Sequence, residues 1–198
     1  MVNLKSIGVL ALQGDYEKHI TALKSIGVAT KLVRTSSDFS DVDGLIIPGG
    51  ESTTMTNLLR RNDLENSLKD FVMNNPVMGT CAGLILLSNQ TEYTKVIGLG
   101  AIDVDVDRNG YGSQRDSFSA NISLNFTDGD PFHAVFIRAP KILSMGSSVT
   151  SLAELNGEVV MARNANVLVT SFHPELAENS IVHNYFLKQF VLREEVAA

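Results

Sequence analysis

The chain has 198 residues, 44% hydrophobic and 19% charged, the make-up of one ordered globular domain spanning residues 1–198 around a single substantial core. A formal net charge of −6 without any Lys/Arg cluster argues against a nucleic-acid or anionic-membrane surface, and no apolar run approaches the roughly 20 residues that span a bilayer. A single cysteine, Cys81, rules out an internal disulfide and suits a cytoplasmic protein, as does an amino terminus too briefly apolar for a signal peptide.

In chain order, "SIGVLAL" (6–12) is a continuous apolar run, the pattern of a strand covered on both faces. Asp15 is placed to cap a helix reaching about Ile26, with Ile20, Leu23 and Ile26 at inward spacing and Gly27 as its stop. A strand over 29–34 follows, then "GLIIPGG" (44–50), which ends abruptly at Pro48-Gly49-Gly50. Residues 53–61 and 63–74 read as helices, the first capped by Ser52 or Thr53, and "PVMG" (76–79) as a short buried strand. "AGLILLSN" (82–89) is too long and leucine-rich for another strand here. Strands alternating with helices predict a mostly parallel α/β sheet with helices on both faces.

After Ile97 the pattern changes. "AIDVDVDR" (101–108) alternates strictly and "SFSANISL" (117–124) loosely, which predicts additional antiparallel strands with one wet face in the second half. Strands are expected at 133–140, 141–146, 158–164 and 166–172, separated by turns such as Asn156-Gly157, with a closing helix from about Asn179 to Arg193.

Cys81 lies in "Gly79-Thr80-Cys81-Ala82-Gly83", the G-x-C-x-G form of a nucleophile elbow. A tight strand-to-helix bend forces the side chain outward, its neighbours must be small, and the amide end of the next helix favours a thiolate. A small buried hydrophobe is the competing reading of a lone cysteine. A nucleophile also needs a base. His19 and His183 fall within amphipathic helices, where a satisfied or solvent-facing ring is expected, and His133 has no acidic neighbour within two positions. His173 stands at the end of an apolar strand in "SFHPE"; in extended backbone Glu175 projects to the same side, with Pro174 holding the φ between them fixed. A carboxylate there can orient the imidazole and stabilise the imidazolium. Oxyanion donors are expected from the backbone of Ala82 and of the Gly49-Gly50 bend, where no side chain blocks a ligand.

These segments, with "GVLALQGDYEKHI", "IIPGGESTTM", "RNGYGSQRDSF" and "FIRAP", cover essentially the whole chain. Together they resemble the class I, or triad, glutamine amidotransferases, and more closely the glutaminase subunits of pyridoxal 5′-phosphate synthase. The resemblance implies a flavodoxin-like amidotransferase fold, with Cys81 as nucleophile, His173 as general base and acid, and Glu175 as its orienting carboxylate. It places Gly50, Glu51, Ser52, Arg108, Ile137 and Arg138 around L-glutamine, whose α-carboxylate and α-ammonium suit a pocket holding both arginine and carboxylate groups. It further implies hydrolysis of L-glutamine to L-glutamate and ammonia, delivery of that ammonia to the partner synthase subunit of vitamin B6 biosynthesis, and low activity until the two dock. The docking face is expected near "LQGDYEKH". Where the family more often carries arginine, this chain has Ser113. No metal or other cofactor is expected: "GGEST" lacks a P-loop lysine and no His/Cys cluster is present. The rival functions are another triad amidotransferase or cysteine hydrolase of related fold, and a non-catalytic thiol-bearing binding module.

Overall fold

The apolar runs of the sequence form the middle of one seven-stranded sheet, in the order β2-β1-β3-β4-β11-β10-β9. The computed structural model describes residues 5–89, 95–108, 110–111, 117–129 and 131–194; Ser113 lies outside them. Strands β1 (Ser6–Leu10), β2 (Ala29–Val33), β3 (Gly44–Ile47), β4 (Val77–Thr80) and β11 (Val167–Thr170) pair in parallel, while β10 (Glu158–Arg163) and β9 (Thr150–Leu155) continue the sheet antiparallel. Every residue of β3, β4 and β11 is buried, as a strand covered on both faces requires.

Strand alternation divides the core in two. Leu45, Ile47, Val77, Val167 and Val169 face one side with Leu59, Leu68, Phe71 and Leu84. Ile46, Met78 and Leu168 face the other with Leu23, Phe172, Phe186 and Phe190. Helices α2 (Ser52–Arg61), α3 (Glu65–Asn74) and α4 (Ala82–Leu87) therefore cover one face, and α1 (Tyr16–Ser25) and α5 (Ile181–Phe186) the other. Two small antiparallel sheets, β5 (Val104–Asp107) with β8 (Lys141–Met145) and β6 (Ser117–Ile122) with β7 (Phe132–Ile137), flank the main one. Among the described residues no helix is long and apolar enough to cross a membrane.

Several local expectations are corrected. Asp15 stands at the N-cap of α1 but its side chain makes no capping bond, and Glu51, rather than Ser52 or Thr53, caps α2 by accepting from Thr53 N–H and Thr54 N–H. Gly27 does end α1 with φ +76°. Strand β9, whose alternation is weak, was missed. The closing helix is shorter than expected: after Phe186 the chain winds into a wider π turn over Leu187–Val191, with Leu192 N–H bonded to the Leu187 carbonyl. That extra residue per turn lets Phe186, Phe190 and Val191 all enter the core.

The bend between β4 and α4 is built on close backbone approach. A Cβ at Gly83 would collide with the Ile47 carbonyl of β3, and one at Gly79 would come within 2.7 Å of Gly83. Gly83→Ala is therefore expected to destabilise the protein by about 3 kcal/mol, read from the midpoint of chemical unfolding, because a backbone oxygen cannot step aside as a side chain can.

Candidate active site

Cys81 sits at the carboxyl end of β4 with φ +49° and ψ −102°, a backbone conformation that costs an L-residue free energy and turns its side chain out of the sheet. The strained turn is held from both sides: Cys81 N–H donates to the Thr170 carbonyl of β11, and the Cys81 carbonyl accepts from Ile85 N–H. The thiol is only 6% exposed and contacts the Ile137 carbonyl at 3.8 Å.

The next strand end supplies the candidate base. His173 follows β11, and its N–H donates to the Val135 carbonyl, so β7 pins the residue from the flanking sheet. Its Nδ1 lies 2.7 Å from Glu175 Oε1. Glu175 does not reach the ring through extended backbone, as the spacing had suggested. Pro174–Leu176 forms a 3₁₀ turn with proline in its first position, and that turn brings the carboxylate back beneath the imidazole. Both side chains are buried, at 9% and 0% exposure. Burial disfavours charge on His173, yet the attraction of Cys81 and Glu175 outweighs it and pushes His173 up to about 10. Burial likewise opposes the Glu175 carboxylate, and the neighbouring imidazoles, His19 first and then His173, hold it down to about 2. Cys81 is thus close enough to influence His173, although His173 Nε2 makes no aligned hydrogen bond in this resting arrangement.

The cleft in front of the thiol, about 160 Å³, is lined by Gly50, Glu51, Ser52, Cys81, Ile85, Arg108, Ile137, Arg138 and His173. All of the expected pocket residues meet here, and Ile85, one turn into α4, is the addition that sequence reading missed. The expected oxyanion residues divide: Gly50 borders the cleft, whereas Gly49 and Ala82 stand behind its surface. Gly49 lies against the His173 ring so closely that any Cβ would strike it, and Ala82 opens α4, where a first-turn N–H has no partner within the helix. Gln13 and Gly14, also missed, brace this bend: Gln13 Nε2 donates to the Glu51 carbonyl at 2.7 Å, and Gly14 packs on the Gly49 carbonyl.

Glu51 and Arg108 form the polar wall. Arg108 Nη2 is 2.9 Å from Glu51 Oε1, and although partial burial opposes its charge, the bonds from Thr53 and Thr54 bring Glu51 down to about 2. Arg138 follows β7 with φ +43°, a second strained residue at the cleft. Ser52 Oγ is buried there without a protein hydrogen-bond partner among the described residues. No group of three or more His, Cys, Asp or Glu side chains able to hold a metal ion occurs among those residues. A sulfur nucleophile, a carboxylate-backed imidazole and paired opposite charges can together bind a zwitterion and attack its carbonyl.

The other histidines sort clearly. His133 is exposed and meets Asn121 Oδ1 across β6–β7 at 3.1 Å. His19 and His183, placed by their helical patterns in satisfied or solvent-facing positions, are fully buried, and His183 Nδ1 has no hydrogen-bond partner among the described residues. His19 precedes Leu23 by four residues, so it shares the inward stripe of α1, a signal the sequence did contain.

Comparison with known proteins agrees with this geometry. The SNO glutamine amidotransferase family profile matches residues 9–192. The chain is 50% identical over 182 residues to pyridoxal 5′-phosphate synthase subunit PdxT of Francisella philomiragia, covering 92% of this chain and 97% of that one. It is 47% identical over 183 residues to the subunit of the same name from Francisella tularensis subsp. holarctica, covering 92% and 98%. A crystal structure described as a glutamine amidotransferase superimposes with a TM-score of 0.84 at 40% identity, covering 91% of this chain and 96% of that one. A crystal structure from Thermoplasma acidophilum, described as a GMP synthase subunit, shares the fold at TM-score 0.66 and 19% identity over 94% of each chain.

The opposed shifts of Glu175 and His173 define a pH window. The lowered Glu175 contributes stability above its usual 4.5 that is lost as pH falls through about 2, and the raised His173 contributes stability below its usual 6.5 that is lost as pH rises through about 10. The difference in unfolding free energy between the wild type and Glu175→Gln is thus expected to peak between about pH 4.5 and 6.5 and to shrink on both sides, as measured by denaturant titration across pH.

Proposed function

The chain belongs to the SNO glutamine amidotransferase family, and we propose that it is the glutaminase subunit of a pyridoxal 5′-phosphate synthase, hydrolysing L-glutamine and passing the ammonia to a synthase subunit. The observation that carries this reading is the meeting of Cys81, His173 and Glu175 at one end of a cleft whose other wall presents Glu51, Arg108 and Arg138. A redox or non-catalytic thiol would have no use for a buried, carboxylate-backed imidazole beside it.

In the proposed reaction the proton shared by Cys81 and His173 rests on the imidazole, as its raised pKa favours, when the sulfur attacks the carboxamide carbon of glutamine. The oxyanion meets backbone amides of the Gly49-Gly50 bend and Ala82. His173 then returns the proton to the leaving nitrogen, releasing ammonia and a glutamyl thioester. Water, deprotonated by the same imidazole, attacks the thioester carbon; the C–S bond breaks, glutamate leaves and the thiol is restored. Glu175 keeps His173 in the tautomer with Nδ1–H directed at the carboxylate, leaving Nε2 for the sulfur. Arg108 and Arg138 receive the substrate α-carboxylate, Glu51 its α-ammonium, and Ser52 a polar group in the cleft.

The resting geometry supports dependence on a partner. The thiol contacts the Ile137 carbonyl while His173 Nε2 lacks an aligned bond, so a small rearrangement must precede attack. Residues 12–19 are well placed to transmit docking, since Gln13 and Gly14 touch the Gly49-Gly50 bend directly. We assign the chain to the cytoplasm as a single glutaminase domain, its free catalytic thiol suiting a reducing compartment.

Glutamate release, measured with and without the cognate synthase subunit, is expected to rise on complex formation and to vanish in Cys81→Ala. An electrophilic glutamine analogue is expected to add to Cys81, seen by peptide mass spectrometry. Activity surviving in Cys81→Ala would refute the mechanism. Arg108→Ala is expected to raise KM for glutamine by roughly tenfold or more with a smaller change in kcat, the loss of one charged hydrogen-bonding partner.

A further inference from the structure

The carboxylate of the proposed triad has a second side. While Glu175 Oε1 faces His173, Oε2 turns away from the cleft toward His19 Nε2, 3.3 Å distant, with neither side chain exposed. His19 comes from α1, an element far from the thiol in sequence, and its other ring nitrogen, Nδ1, meets His183 Nε2 of α5 at 2.9 Å. Thr80 Oγ1, the residue before the thiol, stands 3.4 Å from the same His19 Nε2. Two helices and the 3₁₀ turn thus converge on one buried line of polar groups, running Cys81, His173, Glu175, His19, His183. Helix α1 and the turn are in direct contact, as are α1 and α5.

The hydrogen positions follow from the partners. The titratable groups facing His19 are Glu175 and His173 from the turn, His183 from α5 and Asp15 from the head of its own helix. Burial lowers both His19 and His183, the latter to about 3, which favours on each a neutral ring with one N–H. If His19 held its proton on Nδ1, a bare nitrogen would face the Glu175 carboxylate and His183 would strand a buried N–H at Nδ1. With the proton on Nε2, His19 presents a donor to Glu175 and accepts from His183 Nε2–H. His183 Nδ1, which has no protein partner among the described residues, is then a lone pair rather than an unmet donor. The Nε2–Oε2 approach is off the N–H axis, a dipole contact rather than an aligned hydrogen bond.

We propose that His19 is a positioning residue of the glutaminase site, holding the Glu175 carboxylate from behind so that it stays aimed at His173, with His183 fixing the His19 tautomer. This rests on the glutaminase reading above. A carboxylate with one free oxygen could turn within its pocket, and orienting groups behind a catalytic residue contribute on the order of 10- to 100-fold.

The test is run in complex with the cognate synthase subunit. It follows kcat, KM and the pH profile for glutamine hydrolysis in His19→Leu, His19→Gln, His183→Leu and Cys81→Ala. His19→Leu is expected to lower kcat about tenfold or more with KM within about twofold. Its acid limb should move to higher pH, since a carboxylate that has lost a partner takes a proton more readily. His19→Gln, whose amide N–H reaches the Nε2 position, should recover most of the loss. His183→Leu should give a smaller loss and a shift of the same sign. Wild-type kcat and acid limb in His19→Leu would overturn the proposal, and so would a His19→Gln as impaired as His19→Leu, which would mean packing alone. Should His19→Leu fail to fold by thermal melting, His183→Leu decides, a wild-type profile overturning the idea. Retained activity in Cys81→Ala would instead sink the glutaminase reading itself.

Discussion

The parallel pairing of β4 with β11 runs in register from Val77 opposite Val167 to Thr80 opposite Thr170, so that the two strands end side by side. The bond from Cys81 N–H to the Thr170 carbonyl closes the last rung of that ladder. Residues 81 and 173, more than ninety positions apart, are thereby delivered to one edge of the sheet. A slip of one residue would send the side chains of β11 to the opposite faces, and with them the core contacts of Leu168 and Val169. The same pairing that satisfies the hydrophobic core therefore fixes the site.

Around that constraint the structure places groups that are unfavourable on their own. Cys81 and Arg138 occupy left-handed backbone, and an ionised Glu175 lies in a fully buried position. Each is held by neighbours that have no freedom to relax: the Ile47 carbonyl against Gly83, the His173 ring against Gly49, and the flanking β7 strand bonded to His173 N–H. Burial would neutralise the carboxylate were it alone, but the imidazoles on either side of it keep it ionised. The buried charge and the strained turn are two parts of one arrangement, in which rigid packing holds reactive groups in positions that solvent or a looser fold would not tolerate.

Much of this was legible residue by residue. The glycines flanking Cys81, the apolar runs of β1, β3, β4 and β11, and the proline between His173 and Glu175 each carry a local physical meaning that survives in the fold. Readings that depended on a neighbour went astray. Glu51 displaced Ser52 as the cap of α2, accepting from Thr53 N–H and Thr54 N–H while its carboxylate also meets Arg108, which follows the distant strand β5. Glu175 approached His173 through a tight turn where extended geometry seemed sufficient. The terminal helix widened so that two phenylalanines and a valine could share one core. For His19 and His183 the helical pattern left a satisfied and a solvent-facing position both open, and only the packing chose the first: a helical period says which residues point the same way, but not whether a polar one will find its match inside.

What the sequence indicated by itself was the kind of sheet and a candidate nucleophile, base and orienting carboxylate, because bends, apolar periods and short motifs are properties of adjacent residues; the pocket residues it indicated only through family resemblance. Tertiary structure alone decided that Glu51 is tied to Arg108, that the Gly49-Gly50 bend leans on Gln13 and Gly14, and that two histidines lie end to end behind Glu175. Those relations join segments whose separation along the chain carries no trace of their distance in space, and only the packing of helices on both faces of a finished sheet brings them within reach.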